Sequence, residues 1–209
     1  MLIPLDQLID RHGCDVTRVL HLGAHLGEEA DAYDAAGAKE VVWVEGNPEK
    51  IPLLLDHVRG RSGHYVTFAI LGERDGDAVT LHIANNGESS SVLALGTHAR
   101  EHREVHYTHD VTGTTRTVDS ICDQLDFAPT FVNIDLQGVE LPVLRGGERT
   151  IQRSVDYIYS EVNRKSLYRG CTLVANLDRY LAKLGFRPAE TKWTRHHWGD
   201  RLYTRKVPR

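Results

Sequence analysis

The chain has 209 residues, 41% of them hydrophobic, and a formal net charge of -4, enough for one sizeable core and a single domain over residues 1–209. It has no long Lys/Arg block, so it carries no footprint for a phosphate backbone, which argues against nucleic acid as a partner. Cys14, Cys122 and Cys171 are far apart and outside CxxC spacing, which argues for free buried thiols over a disulfide framework or a thiolate zinc site. The opening MLIPLDQLIDRHG holds acids and a histidine where a signal peptide needs a basic start, and no long apolar run follows. No transmembrane segment and a cytoplasmic location are therefore expected.

Short aliphatic and β-branched runs alternate with amphipathic stretches, the pattern of parallel strands joined by helical crossovers, so the class is α/β. Thr17 to Leu22 reads as the first strand and Gly27 to Ala36 as the helix after it. Lys39 to Glu45 is the second strand, Pro48 to Arg59 the second helix with Asn47 as its N-cap, and His64 to Ile70 the third strand. Asp77 to Ala84 alternates polar and apolar residues and reads as an added strand with one wet face. Residues 85–116 carry NNG, a serine triplet and many histidines without a strong apolar run, which suggests an irregular lid or substrate-recognition insertion. Phe131 to Asp135 and Val155 to Val162 are further buried strands, with a short helix at Val139 to Leu144 between them. Leu173 to Leu184 is a helix, and Thr191 to Lys206 can supply two closing strands. Doubly wound sheets bind ligands at the carboxyl ends of their strands, which puts the first turn, Glu45, Ile70, Asp135 and Glu161 on one rim.

In HLGAHLGEE, Gly23 and Gly27 leave a strand and open a helix, so backbone can approach a ligand that faces the helix N-terminus. The dinucleotide fingerprint needs a glycine where this chain has His25. Glu45 follows the glycines by about 20 residues, where an acid can accept hydrogen bonds from the ribose hydroxyls of an adenosine cofactor. NAD shares that ribose acid, and a nicotinamide enzyme is the runner-up.

Several stretches then match one family in order: VLHLGAHLGEE, VVWVEGNPEK, FAILGERDGDAVTLHIANNGESSSVL, TRTVDSI, FVNIDLQGVELPVLRGG and SEVNRKSLYRGCTLVANLDRYLAKLGF. Through them the sequence resembles the FkbM family of S-adenosylmethionine-dependent methyltransferases from about Val19 to Phe186. The resemblance implies a single-domain class I methyltransferase, a Rossmann-like fold with a mostly parallel seven-stranded sheet and helices on both faces. It implies O-methylation of a small hydroxylated acceptor, a sugar, glycolipid or polyketide-type compound. It places methionine and ribose contacts at Gly23, Ala24, His25 and Gly27, the ribose acid at Glu45, and the adenine edge near Asn47, Ala69 and Ile70. Ser90 and Ser91, in NNGESSS, are expected at the cofactor or the acceptor. His21 and His25 depart from the acid and the asparagine usual in the family, and an inactive cofactor-binding scaffold is the reading that His21 motivates.

Methyl transfer to an alcohol needs the acceptor oxygen in line with the methyl and a group to take its proton. Asp135, ending a buried strand at the switch point, is the first candidate and a cofactor neighbour as well. Glu161 and His106 are the others. Mg²⁺ stays open as a second cofactor, with Asp135 and Glu161 as its oxygen ligands. Gln137 and Glu140 extend the same group of oxygens. His98, His102 and His106 recur every four residues, a spacing that an exposed polar helix explains. Lys165, Tyr168 and Arg169 are expected on the acceptor rim, and Trp193 and Trp198 flank a histidine pair that reads as a packed strand edge, with stacking of their rings on a sugar as the alternative. A homo-oligomer is left open.

Overall fold

In the computed structural model, residues 1–97 and 104–205 are described. Helix α1 (Leu5–His12) precedes strand β1 (Arg18–Leu22), which leads to α2 (Ala30–Ala35), β2 (Glu40–Glu45), α3 (Ile51–His57) and β3 (His64–Phe68). Strands β4 (Ile70–Leu71), β5 (Ala78–Ala84) and β6 (Tyr107–Arg116) follow. The second half runs α4 (Val118–Gln124), β7 (Phe131–Ile134), α5 (Glu140–Arg145), α6 (Glu148–Ser154), β8 (Tyr157–Asn163), α7 (Val174–Lys183), β9 (Phe186–Trp193) and β10 (Trp198–Arg205).

Seven strands form the main sheet in the order β3-β2-β1-β7-β8-β10-β9, parallel except for β10, which is antiparallel to both neighbours. The central strands are near-continuous apolar runs because both faces are covered. Along β1, Val19 packs with Leu8 of α1, Tyr33 of α2 and Leu54 of α3, while Leu20 and Leu22 pack with Ile121 of α4, Val143 of α5 and Leu177 of α7. Alternation along one strand thus divides two cores on opposite faces of the sheet.

A three-stranded sheet, β4-β6-β5, stands beside it over a small cluster of Ile70, Leu81 and Ile83. This corrects the expectation for residues 85–116: from Tyr107 on, the segment is a ten-residue strand. Its side chains in YTHDVTGTTR are mostly exposed, so it is built by ladder hydrogen bonds to β5 and carries no apolar pattern. The third strand also divides. Ala69 donates its N–H to the Glu45 carbonyl at 3.0 Å, and Ile70–Leu71 turns away to pair with β6. Helix α3 starts at Ile51 and not at Pro48, because residues 48–50 form turns. The spacing of His98 and His102 lies outside the described residues. Among the described residues, no helix is long and apolar enough to cross a membrane.

Candidate active site

The carboxyl ends of β1, β2, β7 and β8 converge on a cavity of about 590 Å³, a size suited to a small-molecule ligand. It opens where the strand order reverses between β1 and β7, the switch point of the sheet.

The turn after β1 has no space for a side chain. Gly23 has a φ of 85°, and a Cβ there would lie 1.8 Å from the Asp135 carbonyl oxygen. Its N–H and that of Ala24 donate to the Val44 carbonyl at 2.9 and 3.1 Å, fastening the turn to β2. His25 also takes a left-handed backbone, with a φ of 47°, and its N–H donates to Glu45 Oε2 at 2.7 Å. The other Glu45 oxygen accepts the Asn47 N–H at 2.6 Å. Glu45 therefore buttresses the glycine turn, and each of its oxygens keeps a lone pair for a ligand hydroxyl. Burial raises its pKa.

Ala69, Ile70, Ser90 and Ser91 line the cavity with the turn. Ser90 donates to the Gly87 carbonyl at 3.1 Å and Ser91 to the Gln137 carbonyl at 2.9 Å, so both hydroxyls brace loops. Asn47 is not brought to the cavity wall: it is buried behind Glu45, and its Oδ1 accepts the Glu49 N–H at 3.0 Å.

His21 is buried on the cavity wall and stacks on Trp43 with ring centroids 4.9 Å apart. Its Nδ1 is 3.2 Å from the Tyr33 hydroxyl, which accepts the Asn133 amide at 3.0 Å. The tyrosine proton accordingly goes to Nδ1, and His21 carries its own proton on Nε2. Burial lowers the His21 pKa to about 4, so the ring is neutral near pH 7. Where an acid would accept, this neutral ring presents a donor.

Asp135 follows β7, its side chain open to a cavity deep enough for burial to raise its pKa to about 6. Glu161 on β8 is raised well above the usual carboxylate range, first by burial and then by the charge of Asp135. The side-chain amide of Gln137 donates to both, at 2.6 Å to Asp135 Oδ1 and 3.2 Å to Glu161 Oε2. A metal would compete with this amide for the same oxygens, and among the described residues no three His, Cys, Asp or Glu side chains are grouped to hold one. The Asp135–Glu161 pair is thus already engaged by an amide donor, and its geometry lends no support to Mg²⁺.

Several other expected residues stand elsewhere, among them Gly27, which is off the cavity wall and packs so closely on α3 that a Cβ there would lie 2.8 Å from Leu54. His106 is exposed outside the cavity wall, its Nδ1 3.2 Å from the Glu104 carbonyl, so the structure does not bring it to the reacting region. Glu140 is buried behind the wall, where Oε1 accepts the Leu136 and Gly138 N–H groups at 3.3 and 2.9 Å. Burial lifts its pKa to about 7. Tyr168 is fully buried, not on the rim, while Lys165 and Arg169 do not line the cavity.

Asp200, Tyr159 and Glu29 also line the cavity and were not expected there, and Trp198, whose ring was the alternative for stacking, lines it as well. Asp200 is the register partner of Glu161 across the β10–β8 ladder, and its Oδ2 accepts the Tyr159 hydroxyl at 2.6 Å. Only the antiparallel pairing of the last strands brings it in. Glu29 could have been found from the sequence, since it stands two residues beyond Gly27 at the helix start. Trp193 is engaged outside the cavity, with the Arg164 guanidinium 3.8 Å above its ring.

No curated protein matches the sequence, but solved structures share the fold. Methyltransferase FkbM from Methylobacillus flagellatus KT superposes with a TM-score of 0.64 at 19% identity, covering 97% of this chain and 48% of that one. The present chain thus spans about half the length of that protein. A protein of the NADB-Rossmann superfamily from Streptococcus agalactiae gives 0.56 at 12% identity, covering 95% of this chain and 66% of that one. Magnesium protoporphyrin IX methyltransferase from Synechocystis PCC 6803, solved with bound SAM, gives 0.54 at 13% identity, covering 96% and 76%. At such identities the likeness is one of fold, a mainly parallel α/β sheet of the class I methyltransferase kind. The Methyltransferase FkbM domain matches residues 21–188, most of the sequence, and the chain belongs to that family.

Proposed function

We propose that this chain binds S-adenosylmethionine in the switch-point cavity and methylates an oxygen of a small hydroxylated acceptor, with Asp135 as the group that takes the proton. The observation that carries the reading is Asp135 itself, open to the cavity at the end of β7, directly against the Gly23 turn, with a pKa of about 6. The residues fit the cofactor: the turn leaves the space a Cβ would fill, Glu45 has lone pairs for the ribose, and Ala69 and Ile70 offer an apolar wall to the adenine. His21, as an Nε2 donor, suits the methionine carboxylate. SAM and SAH bound to a structural neighbour support the same choice.

When bound, the cofactor supplies an electrophilic methyl group. Asp135 lowers the barrier by accepting the hydroxyl proton as the oxygen forms its new bond, and a pKa near the working pH suits a general base. Burial and the neighbouring Asp135 charge raise the Glu161 pKa, which favours its neutral form and eases like-charge repulsion beside Asp135. Carboxylates line the cavity and, among the described residues, no lysine or arginine does. This favours a neutral acceptor such as a sugar or polyketide alcohol over a phosphorylated one. Residues 1–209 act as one cytoplasmic domain in this reading, with the 85–97 loop walling the site.

Calorimetric titration of the chain with S-adenosylmethionine, S-adenosylhomocysteine and NAD tests the cofactor. Micromolar binding of the first two alone is expected, followed by turnover on neutral sugars or alcohols in a medium containing EDTA. NAD binding would replace the reading with a nicotinamide enzyme, and no binding of any would leave an inactive scaffold.

A further inference from the structure

Gln137 occupies an uncommon backbone position for its residue type. Its φ is 52°, in the left-handed region that costs a non-glycine residue free energy and survives where surroundings enforce it. Three separate loops do so here. Ser91 donates its hydroxyl to the Gln137 carbonyl at 2.9 Å, and the next residue, Gly138, has a φ of 110° and leaves no room for a side chain against Cys171. The fully buried Tyr168 donates its hydroxyl to Gln137 Oε1 at 2.6 Å, with the Ser89 carbonyl 3.3 Å from the same hydroxyl.

This contact decides which way the amide points. With Oε1 on the tyrosine proton, the Nε2 protons face Asp135 Oδ1 and Glu161 Oε2. The opposite orientation would set an amide oxygen 2.6 Å from Asp135 Oδ1, an acceptor with no proton to offer once the carboxylate is ionised. The serine loop, the loop after β7 and the loop after β8 meet at this one side chain.

We propose that Gln137, aimed by Tyr168, is a positioning residue that holds the Asp135 carboxylate in its reactive orientation beside Glu161 during methyl transfer. The inference rests on the reading that Asp135 takes the acceptor proton. A hydrogen bond to the charged form favours that form, so the amide counters the effect of burial on Asp135. The other charges facing Asp135 are Asp200 on β10, Glu29 ahead of α2, Glu161 on β8 and the Met1 ammonium group, with Glu140 behind the loop. Removing the amide leaves those in place and takes away a favourable donor, so Asp135 then loses its proton at higher pH.

The test uses Gln137→Met, which keeps length without the amide, and Tyr168→Phe, which keeps the ring without the aiming proton. The full chain with ¹³C-labelled carboxyl groups is titrated by NMR, and S-adenosylhomocysteine affinity is measured beside it. The Asp135 midpoint is expected to rise by about one unit in Gln137→Met and by less in Tyr168→Phe, with affinity for S-adenosylhomocysteine unchanged. On whichever neutral acceptor wild type methylates, kcat falls about ten- to a hundredfold while the acceptor KM holds. If Gln137→Met does not fold, Tyr168→Phe alone decides. An Asp135 midpoint that stays at the wild-type value in a folded variant overturns the proposal. Failure of the underlying reading is a different result, namely wild-type protein that binds no S-adenosylhomocysteine.

Discussion

The two ends of the cavity are built from different materials. Around Gly23, Ala24 and His25 the wall is backbone, bent through left-handed conformations and pinned by N–H groups to Val44 and Glu45. Around Asp135, Glu161 and Asp200 it is side chains, three acids whose pKa values are all raised first by burial. A backbone wall fixes shape and tolerates little substitution, whereas a wall of acids set deep in a cavity fixes protonation and tolerates isosteric exchange. Changes at the first end should therefore alter folding and binding, and changes at the second should alter turnover.

The largest expected effect is at the acidic end. Asp135→Asn keeps shape and removes the proposed proton acceptor, so kcat should fall by about 10²–10⁴-fold with affinity for S-adenosylhomocysteine retained. Normal turnover at saturating cofactor would remove Asp135 from the chemistry. At the other end, Gly23→Ala forces a Cβ against the Asp135 carbonyl in a positive-φ turn. A loss of about 2–3 kcal/mol of stability is expected in denaturant melts, and an unshifted midpoint would show that the turn can relax. Glu45→Ala comes next. It removes the proposed ribose partner and two backbone contacts, and S-adenosylhomocysteine should bind about 10- to 100-fold more weakly with kcat at saturation little changed. A fall in kcat without loss of affinity would erase the contrast between the two ends.

The backbone end was the legible one. Gly23, Gly27 and Glu45 lie within two consecutive strand-turn units, so their relation is local and their spacing meaningful, and strands such as VVWVE show their burial as apolar runs. Asp135 was legible because a buried strand ends just before it. The acidic end was read only in part. Asp200 reaches Glu161 through the register of an antiparallel ladder between strands far apart in sequence, and no local pattern encodes that pairing. Strand β6 was hidden for a related reason: exposed on most of its length, it needs no hydrophobic alternation. Tyr168 looked like a rim residue because its neighbours Lys165 and Arg169 are polar, but its ring packs with Leu167 and Cys171 beneath them. His106 was a candidate from its place in the histidine-rich segment after the serine loop, and nothing local in the sequence says which way that segment faces.

Protonation gives the finest separation of the two ends. Asp135 must be ionised to accept a proton, and its pKa of about 6 puts that change inside the accessible range. Turnover should thus rise roughly tenfold from pH 5 to pH 8 and level off above pH 7. His21, brought by burial to about 4, is already neutral throughout that window and adds no slope to binding. Glu45 and Glu28 both touch the turn, but Glu28 is held down to about 2, whereas burial raises Glu45, which is therefore the first of the two to take up a proton as pH falls. Binding of S-adenosylhomocysteine, which carries no sulfonium charge, should then weaken by only about twofold at the acid end. Glu45→Gln, which holds one form at every pH, should remove even that. Affinity that follows the same midpoint as turnover, in wild type and in Glu45→Gln alike, would mean that Asp135 governs binding as well and that the two ends of the cavity act as one.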